Sequence, residues 1–308
     1  MDKFFLEPVQ TLKLLSYENN FKNFHTLYKE KKLPKVIMIS GEKGIGKFTF
    51  INHFIISLLD KNNYNFKNLS ISSKSTTYKE IISKTSSNVI IIKGDTQIPV
   101  KIDDIRKLKE TISKSTLNNC PRFIILDEIN LYNLNCQNSL LKIIEEPTKN
   151  NYFILINNNT SKISDTIRSR VLEFKFYLSE KDKKIIIQNF VKNNSLNDYF
   201  DNFDASLSPG KVANYIYLCH KEKIELNDQL INVVETLLGI YKKSKNYHCI
   251  SLVKYLINLS IYKNLTLNKN SLEILIDRKN KTMKHIDDFV TYNLNHNTTL
   301  QLISQQIG

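Results

Sequence analysis

Three of the seven glycines in this chain fall within six residues, in the run Gly41-Glu42-Lys43-Gly44-Ile45-Gly46-Lys47. The run lies directly after the apolar stretch Val36 to Ile39 and before the amphipathic stretch Phe50 to Leu59. Glycines at this spacing let the backbone bend back so that several N–H groups converge on phosphate oxygens. The helix that follows adds its positive end, and Lys47 adds its charge. Patterns of this kind place Ser or Thr straight after the lysine, where the hydroxyl ligates magnesium, whereas Phe48 stands here and Thr49 follows. A helix turns its side chains by about 100° per residue, so Thr49 does not simply replace the missing hydroxyl. Nucleotide is therefore expected to bind weakly, or to bind without efficient hydrolysis.

A second candidate is the acidic pair Asp127-Glu128, which ends the apolar run Phe123 to Leu126. Two carboxylates at the C-terminal edge of a strand suit phosphoryl chemistry: the aspartate supports a magnesium ion and the glutamate orients and activates the attacking water. The alternative is a strand that merely ends in solvated acids.

These groups need a scaffold, and the first part of the chain has the texture of one. Val36 to Ile39, Val89 to Ile92, Phe123 to Leu126 and Tyr152 to Ile156 are short runs rich in Ile and Val, which read as buried parallel strands. Leu172, Phe174 and Phe176 alternate with Glu173 and Lys175, predicting a strand with one wet face. Between the strands, Ile102, Ile105, Leu108 and Ile112 recur at helical spacing, with Asp103 and Asp104 in the first turn where the helix dipole favours anions. The fold class expected is an α/β parallel sheet with helices on both faces. After about residue 178 helical patterns take over, at roughly 180–193, 210–221, 226–243, 247–262 and 271–294. Ser208-Pro209-Gly210 and Lys242 to Asn246 read as breaks between helices, and Ser70 to Ser87 is polar enough for a mobile loop.

Composition adds bounds. With 308 residues, 41% of them hydrophobic, the chain can build two or three compact cores. Its 44 Lys and Arg against 30 Asp and Glu give a net charge of +14, which favours an acidic partner such as the phosphate backbone of DNA. Lys, Asn and Ile are abundant throughout, as a genome rich in A and T would produce, so solvated surface lysine explains the same excess. Cys120, Cys136, Cys219 and Cys249 are scattered without a CxxC pair, which predicts reduced thiols and no zinc. No stretch approaches the roughly 18 uninterrupted apolar residues of a membrane span, so no membrane partner is expected and the location expected is cytoplasmic.

Asn138-Ser139-Leu140-Leu141-Lys142-Ile143-Ile144-Glu145-Glu146-Pro147 resembles the NALLKxLEEP signature of bacterial clamp-loader AAA+ subunits. Thr166-Ile167-Arg168-Ser169-Arg170-Val171 is similar to their TIxSRC motif, with Val171 in place of the final cysteine. The resemblance covers about residues 30 to 215. It implies that Arg170 is a finger reaching the nucleotide of the adjacent subunit, and that Asn157 and Asn158 occupy the region of the family's first sensor. Gly41, Gly44, Gly46, Lys47, Thr49 and Asp127 would line the nucleotide site, with Glu128 as the water-activating base, Asp127 supporting magnesium, and ATP with magnesium as cofactors.

Three details resemble the delta-prime type rather than the gamma/tau motors. Gly46-Lys47-Phe48-Thr49 is similar to the GKAT variant, the cysteine zinc module of gamma-type subunits is missing, and Ser208-Pro209-Gly210-Lys211 resembles the GSPGRA stretch. The resemblance implies an AAA+ module over 1–177, a helical lid over 178–222 and a helical collar over 223–308. Its expected partners are the gamma/tau and delta subunits of the DNA polymerase III holoenzyme, the sliding clamp and primer-template DNA, with the chain's own ATPase weak or absent. Two rivals remain: a self-sufficient ATPase, whether gamma-like motor or other AAA+ remodeler, and a plain DNA-binding protein driven by its charge.

Overall fold

The computed structural model describes residues 8–95, 98–114, 120–148, 150–196, 203, 206–267 and 272–307. The chain packs as two compact units, residues 1–190 with 205–211 and residues 191–204 with 212–308.

The first unit is built on α1 (Glu18–Lys29), β1 (Val36–Ser40), α2 (Lys47–Leu59), β2 (Tyr64–Asn65), β3 (Ser70–Ile71), α3 (Thr76–Ile82), β4 (Val89–Lys93) and α4 (Ile102–Ser113). There follow β5 (Arg122–Asp127), α5 (Leu134–Glu145), β6 (Asn151–Asn157), α6 (Asp165–Arg168) and β7 (Leu172–Lys175), and then α7 (Glu180–Asn193). Five strands form one sheet in the order β4-β5-β6-β1-β7, with every pairing parallel. Parallel strands must be covered on both faces, and alternation along each strand divides the apolar residues accordingly. Ile37, Ile39, Ile125 and Ile156 pack with α1 and α2 on one face; Val36, Met38, Leu126 and Leu155 pack with α4, α5 and α6 on the other. The expected α/β sheet with helices on both faces is what the chain forms.

The face under α2 is unusually aromatic. Phe50 is fully buried, with its ring centroid 4.8 Å from Phe176, 5.1 Å from Phe24 and 6.0 Å from Tyr17. These edge-on contacts fix the helix that follows the glycine loop. The wet face expected of β7 is met in part: Phe174 and Phe176 pack inward while Leu172 is exposed, because β7 is an edge strand paired with β1 alone.

Residues 70–87 are not one continuous loop but hold β3 and α3. Ser70-Ile71 pairs antiparallel with β2, and α3 is capped by the Ser75 hydroxyl, which accepts the Tyr78 N–H at 3.2 Å and donates to Asp60 at 2.6 Å. Polar composition misled here because a short capped helix can carry an exposed polar face and bury little more than Ile81.

The second unit is helical, with α8 (Pro209–Glu222), α9 (Leu230–Ser244), α10 (Tyr247–Leu267), α11 (Leu272–Thr291) and α12 (His296–Ile307), of which α8 starts within the first unit. Val233, Val234, Leu237 and Leu238 of α9 are buried as their spacing predicts. That helix starts at Leu230 rather than 226, since Asp228 takes the Gln229 N–H at 2.6 Å and closes a turn before it. Of the described helices, none is long and apolar enough to cross a membrane.

Removing the Phe50 ring empties the centre of the aromatic layer. Phe50→Ala is expected to cost about 3–5 kcal/mol, seen as a lower urea midpoint with an unchanged slope.

Candidate functional site

The glycine run forms the bend from β1 into α2. At its start, a Cβ added to Gly41 would lie 2.4 Å from the Phe176 carbonyl oxygen, so only glycine lets the loop leave the sheet there. Gly44 and Gly46 have φ of 88° and 90°, and α2 begins at Lys47 with no side chain capping its first turn. The first-turn N–H groups thus face the place where phosphate would sit.

Lys47 is buried, 3% exposed, and its Nζ donates to the Gly41 and Glu42 carbonyls at 2.8 and 2.7 Å. Burial lowers its pKa to about 8, against the pull of the Asp127, Glu128 and Glu42 carboxylates. Phe48 packs on the aromatic cluster, and Thr49 is half-buried with no side-chain hydrogen bond among the described residues. The loop geometry therefore fits a phosphate group, while the hydroxyl that would ligate magnesium is replaced by an apolar ring turned into the core.

Because β6 is inserted between β1 and β5, the acidic pair stands two strands from the loop. Asp127 closes β5, and burial raises its pKa to about 6, with Glu128 adding to the effect and Lys93 opposing it. Its Oδ1 accepts the Glu128 N–H at 3.0 Å. Glu128 takes left-handed backbone, φ 51°, which costs a non-glycine residue about 1–2 kcal/mol. Its Oε2 accepts from Lys43 Nζ at 2.9 Å, so the tip of the glycine loop is pinned to the acidic pair.

Sequence reasoning took Ser208-Pro209-Gly210 as a break between helices. Folded, the segment closes on the loop: Ser208 Oγ donates to the Lys43 carbonyl at 2.6 Å and the Gly210 N–H to the Gly44 carbonyl at 2.8 Å. A Cβ on Gly44 would stand 2.6 Å from Ser208 Oγ, so both glycines are needed for the approach. Glu42 has Lys183 and Lys211 at 3.3 and 3.6 Å.

Asn157 stands beside the loop, its carbonyl accepting the Gly41 N–H at 3.2 Å, but its side chain is committed to Asn159. Asn158 is buried and its N–H donates to Asn130 Oδ1 at 3.2 Å. Asn130, which no sequence signal marked, also donates to Thr160 Oγ1 at 2.7 Å and ties the acidic turn to the loop after β6.

Arg170 is not part of this cradle. It follows α6, its side chain about one third exposed, with Nε 2.6 Å and Nη2 2.5 Å from Glu145 Oε1 and with Nη1 donating to the Thr166 carbonyl at 2.9 Å. Among the described residues no group of three or more His, Cys, Asp or Glu could hold a metal ion.

The family model described as DNA polymerase III, delta subunit matches residues 17–179, more than half of the 308-residue chain. The chain belongs to this family. The matched stretch spans the glycine loop, the acidic pair and the Arg170 turn of this chain. The expected resemblance to clamp-loader AAA+ subunits is thereby met. DNA polymerase III subunit gamma of Buchnera aphidicola subsp. Schizaphis graminum is 28% identical over 259 residues, 81% of this chain and 68% of that protein. Subunit delta-prime of the same organism is 27% identical over 208 residues, 64% and 59% of the two chains. Subunit delta-prime of Buchnera aphidicola subsp. Baizongia pistaciae is 29% identical over 161 residues, 52% of this chain and 46% of that protein. The chain thus spans about half to two thirds of the length of these curated relatives. Among solved structures, a DNA polymerase III gamma subunit-related protein of Thermotoga maritima covers 92% of this chain and 98% of its own, with a TM-score of 0.48 and 15% identity.

The raised pKa of Asp127 has a stability consequence. Between the unfolded carboxyl value of 3.8 and the folded value of about 6, the native state holds a proton that the unfolded state releases. Native stability therefore falls as pH rises through this window, and the penalty is complete above about pH 6. Asp127→Asn is expected to raise stability at pH 7.5 by roughly 1–3 kcal/mol, and to change it little at pH 3.5, as read by denaturant unfolding at the two pH values.

Proposed function

We propose that the chain is a delta-prime-type subunit of the DNA polymerase III clamp loader, which helps place the sliding clamp on primed DNA and supplies Arg170 to the nucleotide of a neighbouring ATPase subunit. One observation carries the reading: the guanidinium of Arg170 sits at the surface on Glu145, apart from the chain's own glycine loop. Glu145 and the Thr166 carbonyl fix its position there, and a finger for another subunit would exchange the Glu145 carboxylate for phosphate.

The state of the chain's own loop agrees. Phe48 removes the magnesium hydroxyl, Lys43 occupies Glu128, and Lys47 is satisfied by loop carbonyls. When bound, ATP with magnesium would be held by the loop N–H groups, Lys47 and Asp127, and its role here is to shape the ring rather than to turn over. The remaining assignments follow the same reading. The helices of 178–222 act as a lid and those of 223–308 as a collar joining the gamma/tau and delta subunits, and primer-template DNA passes through the assembled ring. The protein works in the cytoplasm.

A second reading is a gamma/tau-like motor with its own ATP turnover. It draws on the intact Asp127-Glu128 pair and on the gamma subunit among the relatives.

Reconstitution with the motor and delta subunits separates the two. Clamp loading and ATP turnover by the ring should fall about 10³-fold with Arg170→Ala, in the range of a lost arginine finger, and by less than about twofold with Lys47→Ala. The reverse order would make this chain a motor.

A further inference from the structure

At the end of α5 two acids stand where a helix disfavours them. Glu145 is its last residue and Glu146 its cap, although the partial negative charge of a helix C-terminus repels carboxylates. Ile144, one residue before Glu145, and Ile167, three residues before Arg170, are buried in the same apolar layer. Packing therefore holds the end of α5 against the turn after α6 without help from charge. Yet Arg170 reaches across to Glu145, while Glu146 and the neighbouring Arg168 have no ion-pair partner among the described residues.

The form of this pair decides what it can do. Nε and Nη2 of Arg170 both fall on Oε1 of Glu145, and Oε2 has no hydrogen-bond partner among the described residues. The two-oxygen fork that makes arginine–carboxylate pairs strong is not formed. Both side chains are open to water, 35% exposed for Arg170 and 44% for Glu145, where an ion pair shifts an equilibrium by no more than about fivefold. Nη1 rests on the Thr166 carbonyl, so each nitrogen of the guanidinium has an acceptor. The group is thus oriented and charge-paired, by a contact weak enough to yield to an anion of higher charge.

We propose that Glu145 is a positioning residue that competes with nucleotide. Its carboxylate holds Arg170 in the free subunit, the phosphate of a neighbouring subunit's nucleotide must displace it, and Glu145 thereby sets how much nucleotide the ring needs. This rests on the reading of Arg170 as a finger for another subunit and adds a regulator to that finger. Competition of this kind weakens the bound substrate and the transition state alike, so it acts on KM and leaves kcat alone.

ATP turnover by the ring reconstituted with the motor and delta subunits tests it through that split. Glu145→Gln keeps the shape and removes the charge: KM for ATP should fall about two- to fivefold, with kcat unchanged. Glu145→Asp, which keeps the charge, should recover part of the wild-type KM, and Arg168→Ala should leave both constants as they are. Thermal unfolding of Glu145→Gln should match wild type, because packing holds the two segments together. If Arg170→Ala leaves ring turnover intact, the finger reading fails and this inference fails with it. If Arg170→Ala slows the ring while Glu145→Gln leaves KM unchanged, lowers kcat, or lowers only thermal stability, the finger stands and the competing role of Glu145 is overturned.

Discussion

A buried ammonium organises the centre of this molecule. Lys47 sits at the start of α2 with almost no access to water, and its charge is tolerable because two loop carbonyls turn inward to receive it while Asp127 and Glu128 stand nearby. Such an arrangement requires a loop that can fold back on itself, hence glycine at 41, 44 and 46, and a rigid base, hence β1 buried between β6 and β7. The aromatic layer around Phe50 holds α2 against that base, so the lysine cannot relax outward. Each part is present because burying a charge without partners is far more costly than building the partners.

The same arrangement supports the proposal that this chain is not a motor. In an active site the lysine and the catalytic acid wait for substrate, whereas here they are already engaged by Gly41, Glu42 and Lys43. The segment at Ser208 to Gly210 adds a backbone hydrogen bond to Gly44 that nucleotide entry would have to accommodate. On the proposed reading a stiff platform serves Arg170, since a donor fork is effective only when its position is fixed before the charge develops.

Legibility in the sequence followed the range of the interactions. The glycine run, the acidic pair and the four parallel strands are local patterns of composition and spacing, and they fell where the pattern put them, although β4, at the sheet edge, is only partly buried. Interactions between distant segments were hidden. Gly210 reads as a helix breaker, and its closeness to Gly44 exists only once the fold brings Ser208 onto the carbonyl of Lys43, 165 positions away in the chain. Asn130 looks like any other asparagine in an Asn-rich chain until the acidic turn and the loop after β6 converge on it. Helices α1, α3 and α12 went unpredicted because their apolar stripes are short and their stability comes from neighbours, as with Phe21 and Phe24 of α1.

A phosphate loop satisfied from within should not turn over nucleotide. Steady-state ATP hydrolysis by the isolated chain with magnesium decides the matter: phosphate release should be no faster than in a protein-free control, and turnover above that control that disappears in Lys47→Ala would overturn the proposal.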